Sequence, residues 1–158
     1  MVRKRLARQG RLAARAGSLE QVWQDRAARR DLVEQILAVQ EHAAVFSGED
    51  GSELTQAVLR LRGWAVWFLL DLGDGAAQAI AVAEPLLPDR ERVLGPDHPG
   101  TLASRDNLAL AYWAAGRAAE AIPLFERALA GTERVLGPDY PSTVTVRDNL
   151  AAARAAQG

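Results

Sequence analysis

No cysteine occurs in this chain, which excludes a disulfide framework, thiolate catalysis and any zinc site built on sulfur. Histidine is scarce. His42 and His98 lie in different segments, and neither stands beside a nucleophile or a set of metal ligands. Long apolar runs are missing too: the longest candidate, 63–72, contains Asp71 and falls short of the roughly 18–20 residues that span a bilayer. The N-terminus has no apolar segment of the secretory kind. There is no phosphate-binding loop and no G-x-G-x-x-G turn. These absences point to a cytoplasmic, non-catalytic protein with no cofactor, no metal site and no small-molecule substrate.

The residues that are present fit a soluble globular chain. Of the 158 residues, 49% are apolar and 25% are charged, enough for one domain with a core or about four helix pairs. The net charge of −1 is unevenly placed. Residues 1–17 carry Arg3, Lys4, Arg5, Arg8, Arg11 and Arg15 and no acid, while the remaining 141 hold 13 basic and 20 acidic side chains. A basic arm with so few large apolar residues cannot bury much and reads as a flexible, solvated or docked tail. The alternative is contact with nucleic acid or an anionic membrane through phosphate neutralisation. No aromatic residue is interleaved to support it.

The strongest signal is internal repetition. Arg92-Val-Leu-Gly-Pro-Asp-His-Pro99 returns 42 residues later as Arg134-Val-Leu-Gly-Pro-Asp-Tyr-Pro141, and residues 92–116 match 134–158 without a gap at 16 of 25 positions. The echo starts earlier: Ala76, Ala77, Ala79, Ile80, Glu84, Leu87 and Glu91 equal Ala118, Ala119, Ala121, Ile122, Glu126, Leu129 and Glu133. A period of this length marks stacked supersecondary units, none of which buries its apolar faces alone.

Residues 18–47 read as a helix, or a degenerate earlier pair, capped at Ser18 and broken near Asp31, with 47–52 a loop. A helix is expected over 53–72. Its stretch Trp64-Ala-Val-Trp-Phe-Leu-Leu70 is apolar on all sides, so Trp64 and Trp67 read as core more readily than as a ligand cage. The next helices should cover about 76–92, kinked by Pro85 and Pro88, then 99–115 and 118–134. Gly95 and Gly137 suit left-handed helix ends, and Pro99 and Pro141 suit first turns. His98 and Tyr140 share one position in the repeat, which suggests packing over catalysis. Small residues at Ala109 and Ala121 let paired helices approach, with Tyr112 and Phe125 filling the space.

Leu108-Ala109-x-x-Tyr112-x-x-x-Gly116 followed by Ala121-x-x-x-Phe125-x-x-Ala128 resembles the tetratricopeptide repeat. The Leu-Gly-Pro-Asp connector and the 42-residue period are similar to the kinesin light chain type. The resemblance implies an all-α fold, a right-handed α-α superhelix, with an array over 50–158. It also implies protein–protein interaction on a concave face lined by the first helix of each pair. Carried onto this chain, that face holds Ala103, Asp106, Asn107, Leu110, Trp113 and Ala114, then Thr145, Asp148, Asn149 and Ala152. In such domains the asparagine clamps a peptide backbone, as its amide both donates and accepts. Asp106 and Asp148 favour a neutral or basic peptide, and self-association through 64–70 is open. The family's large aromatic early in the first helix is replaced by Arg105 and Arg147. In the first unit the asparagine position falls on Ala65, or on Trp64 if the turn at 73–75 holds one extra residue.

Overall fold

The computed structural model describes residues 31, 33–35, 38, 53–73 and 75–157. The readings made for the arm 1–17, for most of 18–46 and for the loop 47–52 lie outside the described residues.

Among the described residues from 53 onward, five helices follow one another: α1 (Glu53–Leu72), α2 (Ala76–Leu94), α3 (Pro99–Ala114), α4 (Ala118–Leu136) and α5 (Pro141–Ala155). The described residues before α1 are helical, and Val33 is buried with α1 and α2. No strand occurs among the described residues. Each helix packs on its sequence neighbours, and α1 also touches α3 as α3 touches α5. That is the contact pattern of a helical solenoid, with α1, α3 and α5 side by side on one face.

Turn chemistry sets the helix lengths. Gly73, Gly95, Gly116 and Gly137 all have positive φ, and they are the residues that end α1 to α4. Gly95 and Gly137 sit at φ 91° and 98° with ψ 157° and 162°, a region essentially closed to side-chain-bearing residues, not the left-handed helical well expected from sequence. Pro99 and Pro141 occupy first turns, as the missing N–H there has no helical partner anyway. The residue before each takes an extended conformation. His98 is exposed, and its Nδ1 accepts from Gly100 N at 3.0 Å; it caps α3 where a packing role was expected. α2 runs unbroken through Pro85 and Pro88, whose orphaned carbonyl partners belong to exposed Ala81 and Glu84. Among the described residues no helix is long and apolar enough to cross a membrane.

The core is two clusters joined at α3. The first gathers Phe68, Leu69, Val82, Leu86 and Leu108; the second gathers Phe125, Ala128, Val146 and Leu150. Tyr112 and Leu124 touch both. Ala79, Ala109 and Ala121 have no exposed surface, so helix backbones come close there, as expected for Ala109 and Ala121 from their size. Gly131 completes this fit: a Cβ there would lie 2.4 Å from Leu102 Cδ2.

Ion pairs repeat with the sequence. Arg105 meets Glu91 at 2.6 Å and Arg147 meets Glu133 at 2.9 Å, so the arginines that replace the aromatic tie helices of successive units. Tyr112 Oη donates to Glu84, and at the equivalent place Arg154 meets Glu126 at 2.7 Å. The exposed pairs, Arg147–Glu133 and Arg154–Glu126, add little stability each, so packing decides the fold. Phe125 is wholly buried in the second cluster. Phe125→Ala should therefore cost about 3–5 kcal/mol in urea unfolding, with α-helical circular dichroism before the transition retained.

Candidate functional site

The site depends on which residue of α1 stands opposite Asn107. Gly73 and Gly116 end their helices at φ 79° and 75°, 43 residues apart, whereas α2 and α4 begin 42 apart, at Ala76 and Ala118. The turn at 73–75 therefore holds one extra residue. Burial agrees: Leu59 matches Leu102, Val66 matches Ala109 and Phe68 matches Ala111 in a 43-residue frame, all buried. The repeated Asp-Asn pair of Asp106-Asn107 and Asp148-Asn149 is thus Gly63-Trp64 in the first unit.

This register overturns the reading of 64–70 as apolar and buried all round. Ala65, Val66, Phe68 and Leu69 are buried, but Trp64 is 53% exposed and Trp67 48%. One extra turn residue rotates both indoles out of the α1–α2 contact toward the face shared with α3. Buried Phe68 supports them, with centroids 6.1 Å from Trp64 and 5.4 Å from Trp67. The sequence signal was present in the Trp-x-x-Trp spacing. The register needed to read it was not.

Two recesses open between successive first helices. The α1–α3 window, about 390 Å³, is lined by Gly63, Trp64, Trp67, Arg90, Ala103 and Asn107. The α3–α5 window, about 410 Å³, is lined among others by Ala103, Asp106, Asn107, Thr132, Tyr140 and Thr145. They are equivalent in the repeat, with Gly63 answering to Asp106, Trp64 to Asn107, Arg90 to Thr132 and Ala103 to Thr145. Asn107 and Ala103 belong to both.

Across the α3–α5 junction, a side-chain hydrogen bond links Asn149 to the Asp106 carboxyl, a tie between successive units. The other oxygen, Asp106 Oδ1, is buried without a partner among the described residues. Burial pushes the Asp106 carboxyl up to about 6, and the Asn149 hydrogen bond only partly offsets this. Gly63 offers Asn107 no such carboxylate. The α1–α3 tie is made instead by Arg90, almost wholly buried, which donates to Gly100 O at 2.6 Å and to Leu59 O at 2.7 Å. A Cβ on Gly63 would lie 2.3 Å from Arg90 Nη2, so this guanidinium needs a glycine there. Burial and the neighbouring Arg62 guanidinium both lower the Arg90 pKa.

The remaining candidates divide. Ala114, Asp148 and Ala152 are exposed, and Leu110 and Trp113 are half-buried against the second core cluster. Thr145 lines its window while its hydroxyl donates to Pro141 O at 3.0 Å. The geometry thus brings together Ala103, Asp106, Asn107, Thr145 and Asn149, adds Trp64 and Trp67, and leaves the others off the windows.

Models of the tetratricopeptide repeat match residues 57–134 and 107–158. The chain belongs to the tetratricopeptide repeat family. Two solved structures of a putative kinesin light chain with nearly identical TPR-like repeats, from Podosopora anserina, are similar to it throughout. One, a glutamine-to-methionine variant of that protein, shares 28% identity at a TM-score of 0.68, and the other shares 27% at 0.65. Each comparison covers 94% of this chain and 65% of that one, so this chain spans under two thirds of their length. No curated protein matches. Tetratricopeptide repeats generally mediate protein–protein interaction, and their fold is typically a non-catalytic scaffold.

An acid whose folded-state pKa lies above its unfolded value holds its proton better when folded. Asp106 should therefore lend stability at low pH and lose it as pH rises from about 3.8 to about 6. Above that window its ionisation opposes folding. Asp106→Asn should raise stability at pH 7.5 by about 1–3 kcal/mol and flatten this slope, measured by urea unfolding from pH 4 to 8.

Proposed function

We propose that the face shared by α1, α3 and α5 binds an extended peptide segment of a partner protein, centred on the α1–α3 window. The observation that carries this reading is the Gly63-Trp64 substitution within the repeat. Where the α3–α5 junction holds an asparagine against Asp106, the α1–α3 junction places Asn107 beside two half-exposed indoles with no carboxylate at position 63. A side-chain amide matches the donor and acceptor of a main-chain peptide group whatever its sequence. Tryptophan adds large, rigid contact area at small entropic cost. Asn107 acts as backbone clamp, Trp64 and Trp67 as walls, and Ala103 as the small floor between them. Asn149 takes a structural part, as its amide is engaged by Asp106.

The two asparagines should then separate in experiment. In a screen of the protein against an immobilised library of extended peptides, Asn107→Ala should weaken the selected peptides about tenfold at unchanged helicity and melting temperature. Asn149→Ala should lower the melting temperature and leave affinity within about threefold. Equal losses of affinity from both, or none from Asn107→Ala, would remove Asn107 from the role of clamp.

A further inference from the structure

The two windows carry opposite charge at their floors. Among the described residues Arg90, beneath the α1–α3 window, has only backbone carbonyls as hydrogen-bond partners, and its Nε is buried and unpartnered. The charged group that acts on it is another guanidinium, Arg62, already paired with Asp89 at 2.5 Å. Beneath the α3–α5 window, Asp106 has a neutral amide on one oxygen and no described partner on the other. Its surroundings in the window, Thr132, Thr145 and Tyr140, carry no cation. The arginines flanking it are engaged elsewhere: Arg105 by Glu91 and Arg147 by Glu133.

We infer that the occupant of this face is a charge-paired peptide, with an acidic side chain over the α1–α3 window and a basic one over the α3–α5 window. This deepens the peptide-binding reading above and rests on it. Both floor charges are largely buried, so neither acts as a contact ion pair. Each sets a fixed potential in a recess with low-dielectric walls, where field lines are focused and water is excluded once a peptide lies down. A segment of one sign gains at one window what it loses at the other, and only a segment carrying both signs gains at both. Neighbouring helices pack about 10 Å apart and an extended chain advances about 3.3 Å per residue, so the two charges belong roughly three residues apart.

The test uses the full chain and four fluorescein-labelled peptides on one alanine–proline background. At two positions three residues apart they carry Glu and Lys, Lys and Lys, Glu and Glu, or Gln and Gln. Fluorescence polarisation at pH 7.5 and low salt should show the Glu/Lys peptide binding about tenfold more tightly than the other three. With Asp106→Asn, its advantage over the Glu/Glu peptide should vanish. If Glu/Lys binds no better than Gln/Gln, or a like-charged peptide binds best, the charge-paired occupant is wrong and peptide binding itself stands. If Asp106→Asn leaves the advantage of lysine intact, the α3–α5 window is not its source and the inference fails. If none of the four binds, both readings fall together.

Discussion

Everything in this molecule depends on helices approaching one another at residues no larger than alanine. Ala79, Ala109 and Ala121 have no exposed surface, and at such contacts the backbones themselves set the spacing. Close approach on one side of a helix leaves its other side needing cover. The pair α3–α4 receives that cover from α2 on one flank and α5 on the other. Stability is then a property of stacking, and the polar ties between units fine-tune a geometry that packing has already fixed.

Those ties show how a repeat diversifies without losing its architecture. Two successive junctions solve one problem in different ways: an arginine shared between the carbonyls of Leu59 and Gly100, and an asparagine held by Asp106. Each solution dictates its neighbours. The arginine needs Gly63, since a side chain there would occupy the guanidinium's place. The aspartate leaves one oxygen buried and unmatched among the described residues. Variation confined to a few positions thus gives adjacent windows unlike chemistry on an unchanged frame.

Much of this was legible in the sequence because the repeat is written twice. Helix limits near 76, 99 and 118, the glycine-ended turns and the alanine contacts all emerge from matching one copy against the other. The solvent-facing Arg154 emerges in the same way. The first unit was harder. Its α1 shares little sequence with α3, and an apolar run holding Trp64 and Trp67 gives no period from which to tell core from surface. The role of Asn149 was hidden for a different reason: its partner lies 43 residues away on another helix, and nothing local marks the pairing. Gly95 and Gly137 were recognisable as turn formers, but their ψ values depend on the connector's path to the next helix.

The extra residue in the 73–75 turn carries one more implication. A residue added to the end of an α-helix turns everything upstream by about 100° relative to the helices downstream. Without it, Trp67 would stand where Val66 now stands, in the buried contact that Ala109 makes in the next unit. With it, the same helix sequence turns its indoles outward. In a solenoid of this kind, loop length works as a dial: an insertion in a turn selects which stripe of an existing helix lines the face shared by the first helices.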